Sequence, residues 1–191
     1  MRIGIDARFL QGPNTGVTNY IFNLIKGISA LDRNNAYSFF LSDPNFKNRI
    51  PKAGNFSINT NTINALMWKN VWLPREVKKS NIDVFHFPAY TASFVSVGNN
   101  IVTIPDVIHK VNHEWFSLKE RLLLNLPIEA AIRNASYIIA ISKNTKNDII
   151  RYYSADENKI AVIPLAANES FKPIESASIK NYIKNKYSIQ D

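Results

Sequence analysis

The sequence predicts a doubly wound α/β domain built on a mostly parallel sheet. The chain opens with a short β-prone run from residue 2, a loop rich in Gly, Pro and Asn, and an amphipathic helical run over 17–31. Apolar runs of strand length then recur along the chain, and segments with helical spacing separate them. This alternation is typical of parallel strands joined by right-handed crossover helices.

After the opening run, six further segments have the composition of strands, and they are 36–41, 56–58, 82–87, 101–104, 137–141 and 159–164. Helices are predicted over 66–79, from Ser117 toward Ala135, and after Ser142. Ser117 and Glu120 have the spacing of a capping box, and Ser142 is a candidate N-cap. We expect the prolines inside the first two of these helices, Pro74 and Pro127, to bend or divide them.

Composition excludes several kinds of site. The absence of Cys rules out disulfides, thiolate metal ligands and cysteine nucleophiles, and three scattered His residues argue against a zinc site, so we predict no metal. A formal charge of +8 suits nucleic acid, anionic lipid or a phosphorylated small molecule. Because no nucleic-acid module is recognisable, we expect no nucleic-acid partner.

The amino terminus and the apolar runs indicate where the protein works. Asp6 stands where a signal peptide would continue its apolar core, and no apolar run approaches the length that spans a bilayer. We therefore expect a cytoplasmic protein. Peripheral contact with the inner face of the cell membrane stays open as an option.

Eight segments, in order and spacing, resemble the amino-terminal Rossmann-like domain of retaining GT-B glycosyltransferases, the group 1 or family-four-like enzymes. The matching segments are 4–8, 15–20, 73–75, 83–88, 103–106, 115–121, 139–143 and 159–164. The resemblance covers residues 1–173. It implies that this region is the acceptor-side half of a GT-B fold, and that 174–191 form a linker and the start of an absent donor-binding domain.

The resemblance implies transfer of a hexose from a nucleotide-sugar to a polysaccharide, lipopolysaccharide or lipid-linked acceptor. The nucleotide-sugar is then a donor substrate, and no cofactor is expected. The chain departs from the family pattern at two places. Pro105-Asp106 stands where family members commonly have His-Asp, and Thr18-Asn19 stands where they often have Gly-Arg.

We expect Asp106 to be the catalytic carboxylate, because it directly follows a buried strand; helix capping or loop bracing is the alternative. The expected substrate contacts are Gly16, Val17, Asn19, His86, His109, Ser142 and Lys143. Their alternatives are structural: a turn for Gly16, a hydrogen-bonded core position for His86 and a surface position for His109. Asp6 is expected to pair with Arg8 or to cap a neighbouring loop rather than to contact substrate, because a buried carboxylate needs a partner.

Two functions of other classes remain open. The missing His at position 105 suits a ligand-binding or regulatory domain that has kept the fold and lost catalysis. The positive charge suits a basic module that docks on an anionic membrane surface.

Overall fold

Seven parallel strands form one sheet in the order β3-β2-β1-β4-β5-β6-β7. The structure is a computed structural model and describes residues 1–168, 171–173 and 175–189. The strands are Arg2–Asp6 (β1), Ala36–Leu41 (β2), Phe56–Thr60 (β3), Val84–Phe87 (β4), Asn100–Ile104 (β5), Tyr137–Ala140 (β6) and Ile160–Val162 (β7). The predicted doubly wound, Rossmann-like α/β fold is confirmed.

Seven α-helices are described. They are Gly16–Leu31 (α1), Ala65–Met67 (α2), Leu73–Lys79 (α3), Ile108–Val111 (α4), Leu118–Asn134 (α5), Lys143–Tyr153 (α6) and Ala177–Tyr187 (α7). The capping box at the start of α5 is present, with Ser117 and Glu120 each accepting the other's backbone N–H. Ser142 caps α6 as predicted, since its hydroxyl accepts the N–H of Thr145. None of the described helices is long and apolar enough to cross a bilayer.

The two prolines behave differently. Pro74 is the second residue of α3, immediately after a π-helical turn at Trp68–Trp72, so it opens a new helical segment as expected. Pro127 does not divide α5, which is continuous across it. A proline leaves the carbonyl four residues earlier without its helical donor. Here that residue is Leu123, which is 63% exposed, so water is available to that turn.

The core has two parts, one on each side of the sheet. Neighbouring residues of β2 divide between them: Phe39 packs with Ile5 and Ile21 on one side, and Phe40 packs with Trp68 and Phe85 on the other. This division follows from the alternation of side chains along a strand that is covered on both faces. Trp68 is fully buried in this core, whereas Trp115 is 65% exposed.

The strand order reverses between β1 and β4, which are direct neighbours. In open parallel sheets, ligands bind outside the carboxyl ends of the strands at such a reversal. All the candidate residues belong to this edge: α1 starts at Gly16 after β1, His86 is near the end of β4, Asp106 follows β5 and Ser142 follows β6. Gly16 and Asp106 therefore lie at the same edge of the sheet.

The carboxyl-terminal segment includes α7. Its Ile179 and Tyr182 are exposed. Residues 169 and 170 of the predicted domain, and residues 174, 190 and 191 of the predicted linker segment, lie outside the described residues. The domain boundary at residue 173 stays a prediction.

Candidate functional site

An ion pair lies at the end of β1. Asp6 is 2% exposed, and its two carboxylate oxygens accept from Nε and Nη2 of Arg8 at 2.9 and 2.6 Å. The Arg8 guanidinium also lies 4.1 Å from the centre of the Trp68 ring. Burial lowers the pKa of Arg8, but attraction to Asp6 outweighs it and the net shift is upward. The expected pairing is confirmed, and the carboxylate of Asp6 is occupied by Arg8.

A cleft of about 490 Å³ opens beside this ion pair. It lies at the carboxyl edge, where β1 and β4 meet. The residues that line it are Arg8, Phe9, Ala65, Leu66, Lys69 and Thr91. Lys69 is half-buried, and its Nζ lies 5.2 Å from the centre of the Phe94 ring. Burial and the charge of Arg8 lower the pKa of Lys69, while Asp6 partly opposes that shift.

His86 belongs to a buried hydrogen-bond chain. Its Nε2 lies 2.8 Å from Oγ1 of Thr103 on β5, and the same hydroxyl lies 3.3 Å from the hydroxyl of Tyr20 on α1. Burial lowers the pKa of His86 to about 4, although Asp6 opposes the shift. The imidazole is therefore neutral at pH 7. This geometry favours the core alternative over direct substrate contact for His86.

Asp106 is held by two protein donors. The hydroxyl of Tyr90 donates to Oδ2 at 2.6 Å, and the N–H of Ile108 donates to Oδ1 at 3.2 Å. Burial and the hydrogen bond to Asp106 raise the pKa of Tyr90. Tyr90 has a φ of +51°, and its N–H donates to the carbonyl of Thr103 at 3.0 Å. A non-glycine residue in this region is strained and is held there by such bonds.

The loop before α1 is braced by Thr18. Its buried hydroxyl donates to the carbonyls of Phe9 and Pro13, and its N–H donates to the N-cap hydroxyl of Thr15. The N–H groups of Gly16 and Val17 belong to the first helical turn and have no helical acceptor. A Cβ on Gly16 would meet nothing within 4 Å, so packing does not require glycine there. The side chain of Asn19 is exposed.

The remaining candidates lie on the β5–β6 side. His109 is buried rather than on the surface: its Nε2 lies 2.9 Å from the Tyr153 hydroxyl, and burial and Lys110 lower its pKa. The alternative that placed it on the surface is wrong, because α4 turns it inward against α6. Ser142 is occupied as the cap of α6, and Lys143 is exposed at its first turn.

Hydrogen bonds connect some of the candidate site residues into one network, and the other candidates lie outside that network. His86, Thr103 and Tyr20 are linked through side chains, and Tyr90 and Asp106 join them through the backbone of Thr103. His109, Ser142 and Lys143 form none of these bonds. Among the described residues, no three His, Asp or Glu side chains lie close enough to hold a metal ion.

Sequence reasoning did not select Arg8, Lys69, Tyr90 or Thr103 as site residues. Arg8 and Tyr90 each follow a predicted strand closely, which was the available signal. Lys69 lies in a helical segment far from both, next to Trp68, and the contact of the Arg8 guanidinium with the Trp68 ring brings Lys69 and Arg8 into the same cleft.

Three comparisons with known proteins bear on this architecture. The model of Glycosyltransferase Family 4 matches residues 14–171. The crystal structure of a glycosyltransferase from Rickettsia africae ESF-5 aligns with a TM-score of 0.53 and 14% identity, covering 100% of this chain and 50% of that one. Alr3699/HepE from Anabaena, crystallised in complex with UDP, aligns with a TM-score of 0.59 and 18% identity, covering 98% and 50%. The comparison with curated proteins found no match.

At these identities the two structures show likeness of fold, and this chain spans about half the length of each. The strand order, the cleft at its reversal and the family match agree with one another. Because the family model covers most of its length, the chain belongs to glycosyltransferase family 4.

Proposed function

We propose that the chain is the acceptor-side half of a retaining glycosyltransferase. It would serve transfer of a hexose from a nucleotide-sugar to a polysaccharide, lipopolysaccharide or lipid-linked acceptor. The observation that carries the proposal is the cleft at the β1–β4 reversal, in a chain of glycosyltransferase family 4. The UDP bound to the Anabaena relative of this fold supports a nucleotide-sugar donor.

In such a transfer, the anomeric carbon gains a bond to the acceptor oxygen and loses its bond to the diphosphate. The acceptor hydroxyl gives up its proton to the departing diphosphate. The barrier falls when the protein positions that hydroxyl and balances the charge that develops on the sugar and the leaving group. We assign the carboxylate of Asp106 to the sugar side and the free N–H groups of Gly16 and Val17 to the phosphate side. Asn19 and Lys143 are exposed and are proposed as further polar contacts.

His86 and Ser142 have different proposed roles now that their bonds are known. Both are occupied by neighbouring side chains or backbone, so we assign them to holding β4 and α6 in position around the substrate. His109 does the same for α4 against α6. Pro105 stands in the family His position, and the carbonyl of Pro105 accepts from the hydroxyl of Thr145, which ties this loop to α6.

The test is a transfer assay on the protein that contains this chain, with uridine and guanosine diphosphate-sugars and a pool of bacterial glycolipid acceptors. Release of nucleoside diphosphate that depends on acceptor supports the proposal. The non-catalytic alternative predicts binding without release. Reading the coding sequence beyond Asp191 separates the two at once: a second Rossmann-like half with paired glutamates favours the enzyme, and a stop codon favours the alternative.

The surface around α5 favours a second activity, peripheral docking on an anionic membrane. Leu118, Leu122 and Leu126 recur every four residues on one face of α5, and all three are more than half exposed. Trp115 is also exposed just before the helix. Lys110 and Arg121 line the same surface depression as Leu118 and Leu122, and Lys119 is exposed on the same helix. Exposed apolar stripes with basic neighbours bind the interface of anionic lipid.

Sedimentation with phosphatidylglycerol vesicles tests this docking. We expect the chain to sediment at low salt and less so at high salt, because screening weakens surface charge attraction. Replacing Leu118 and Leu122 by Ser should abolish sedimentation, whereas the matched control Leu31→Ser, on exposed α1 surface, should not. Equal sedimentation of all three proteins would contradict a docking role for α5.

A further inference from the structure

The cleft beside the Asp6–Arg8 pair carries an excess positive charge. Arg8 neutralises Asp6 through two hydrogen bonds, and Lys69 adds a second cation. None of the six lining residues is acidic, and within the described ranges Lys69 forms no ion pair. The charges of the three groups therefore sum to plus one in a partly enclosed space.

The position of Lys69 is costly for a cation. Its ammonium is half-buried next to the like charge of Arg8, and the face of the Phe94 ring and the carboxylate of Asp6 compensate only in part. Burial and repulsion both favour the neutral amine, as the lowered pKa of Lys69 reflects. A negatively charged ligand group would relieve both penalties at once. Surface lysines have no such need, because water solvates them.

The cleft also offers groups that suit a saccharide. Arg8 turns Nε and Nη2 toward Asp6, and Nη1 has no hydrogen-bond partner among the described residues. Leu66 lines the cleft and Phe94 lies beside Lys69; both are at least half exposed and give apolar surface for the C–H face of a sugar ring. The volume of about 490 Å³ lies within the usual range of small-molecule sites, about 300–1,000 Å³.

We propose that this cleft is an acceptor subsite that binds an anionic sugar, with the phosphate or carboxylate of the sugar on Lys69 and Nη1 of Arg8. The inference rests on the proposed function and extends it by specifying that the acceptor is negatively charged. The ammonium supplies a point charge and the guanidinium supplies a directed donor. Together they select acceptors that carry a negative group near the hydroxyl to be glycosylated.

Amide chemical-shift titration of the ¹⁵N-labelled 191-residue chain tests the subsite without any donor. The probes are glucose 6-phosphate, glucuronate, uncharged methyl glucoside and inorganic phosphate. We expect the two charged sugars to shift the amides of Phe9 and Thr91, with a Kd at least tenfold lower than that of methyl glucoside. Lys69→Met should raise that Kd at least tenfold. The control Lys26→Met, an exposed lysine on α1, should leave it unchanged.

Several results would overturn the proposal. Equal affinity for methyl glucoside and glucose 6-phosphate would show that the cleft does not recognise the negative charge of the ligand. Inorganic phosphate binding as tightly as the sugar phosphate would show a phosphate site that ignores the sugar. The amide spectrum of Lys69→Met shows whether this variant is folded. If the folded variant has unchanged affinity for the charged sugars, Lys69 does not bind their anionic group. Lys69→Gln replaces Lys69→Met if the Met variant does not fold. The titration contains no donor, so its outcome is independent of the transfer assay. Absence of charged-sugar binding would overturn only the subsite, and absence of transfer would overturn only the proposed function.

Discussion

Nε2 of His86 and Oγ1 of Thr103 lie 2.8 Å apart across the neighbouring strands β4 and β5. The bond satisfies an imidazole that is almost completely buried, and the Tyr20 hydroxyl extends the contact to α1. A chain of bonds thus ties the helix that starts at Gly16 to β4 and to β5, the strand that leads to Asp106. These groups fix the geometry of the carboxyl edge.

The buried imidazole of His86 predicts a pH dependence of stability. Its pKa is about 4 in the folded chain and 6.5 when exposed, so the unfolded chain takes up the proton first as the pH falls. The contribution of neutral His86 to the free energy of unfolding is therefore fully present above pH 6.5, and about 3 kcal/mol of it is lost as the pH falls from 6.5 to 4. Urea unfolding across this range measures it. His86→Gln, which cannot titrate, should lose this part of the slope; an identical slope would contradict the assignment.

Gly4 is expected to be required by packing. A Cβ at this position would lie 2.5 Å from a ring carbon of Phe85 on the neighbouring strand β4. Gly4→Ala should therefore destabilise the fold by about 1–3 kcal/mol, as overpacking does. Gly27, within α1, is the matched control because its Cβ would meet nothing within 4 Å. Gly27→Ala should stabilise by up to about 1 kcal/mol. Equal midpoints of thermal unfolding for both variants would disprove this.

Asp106 and Tyr90 allow the structural and catalytic roles of this carboxylate to be separated. Tyr90→Phe removes one donor to Asp106 and should cost about 1 kcal/mol of stability with little loss of turnover. Asp106→Asn keeps the shape and removes the charge. In the transfer-competent protein it should lower turnover by about 100-fold or more. An Asp106→Asn variant that melts early yet keeps its transfer rate would assign Asp106 to loop bracing alone.

The order of elements was predictable because each buried strand is a short apolar run and each helix repeats its apolar residues. The helix caps at Ser117 and Ser142 were also predictable, because the hydrogen bonds that form them join residues only three positions apart in the chain. The π-helical turn before Pro74 and the exposure of Trp115 were not, because tertiary packing decides them.

The candidate site was predicted less completely than the fold. The pairing of Asp6 with Arg8 follows from proximity in the chain. The meeting of Arg8 with Lys69 in one cleft depends on the packing of Arg8 against Trp68, a contact between distant segments that no local pattern encodes. The inward orientation of His109 likewise depends on Tyr153, which belongs to a later helix. Contacts between distant segments are the part that sequence periodicity does not contain.

We propose that this domain holds the acceptor and that most of the donor site lies outside these 191 residues. The chain spans about half of each of the two solved structures that share its fold, and in the proposed transfer the transition state is stabilised largely at the leaving diphosphate. Calorimetric titration of the 191-residue chain with uridine and guanosine diphosphate-sugars, beside a transfer assay, tests this most directly. We expect the 191-residue chain to bind these donors weakly and to show no glycosyl transfer. Tight donor binding or turnover by these 191 residues alone would contradict it.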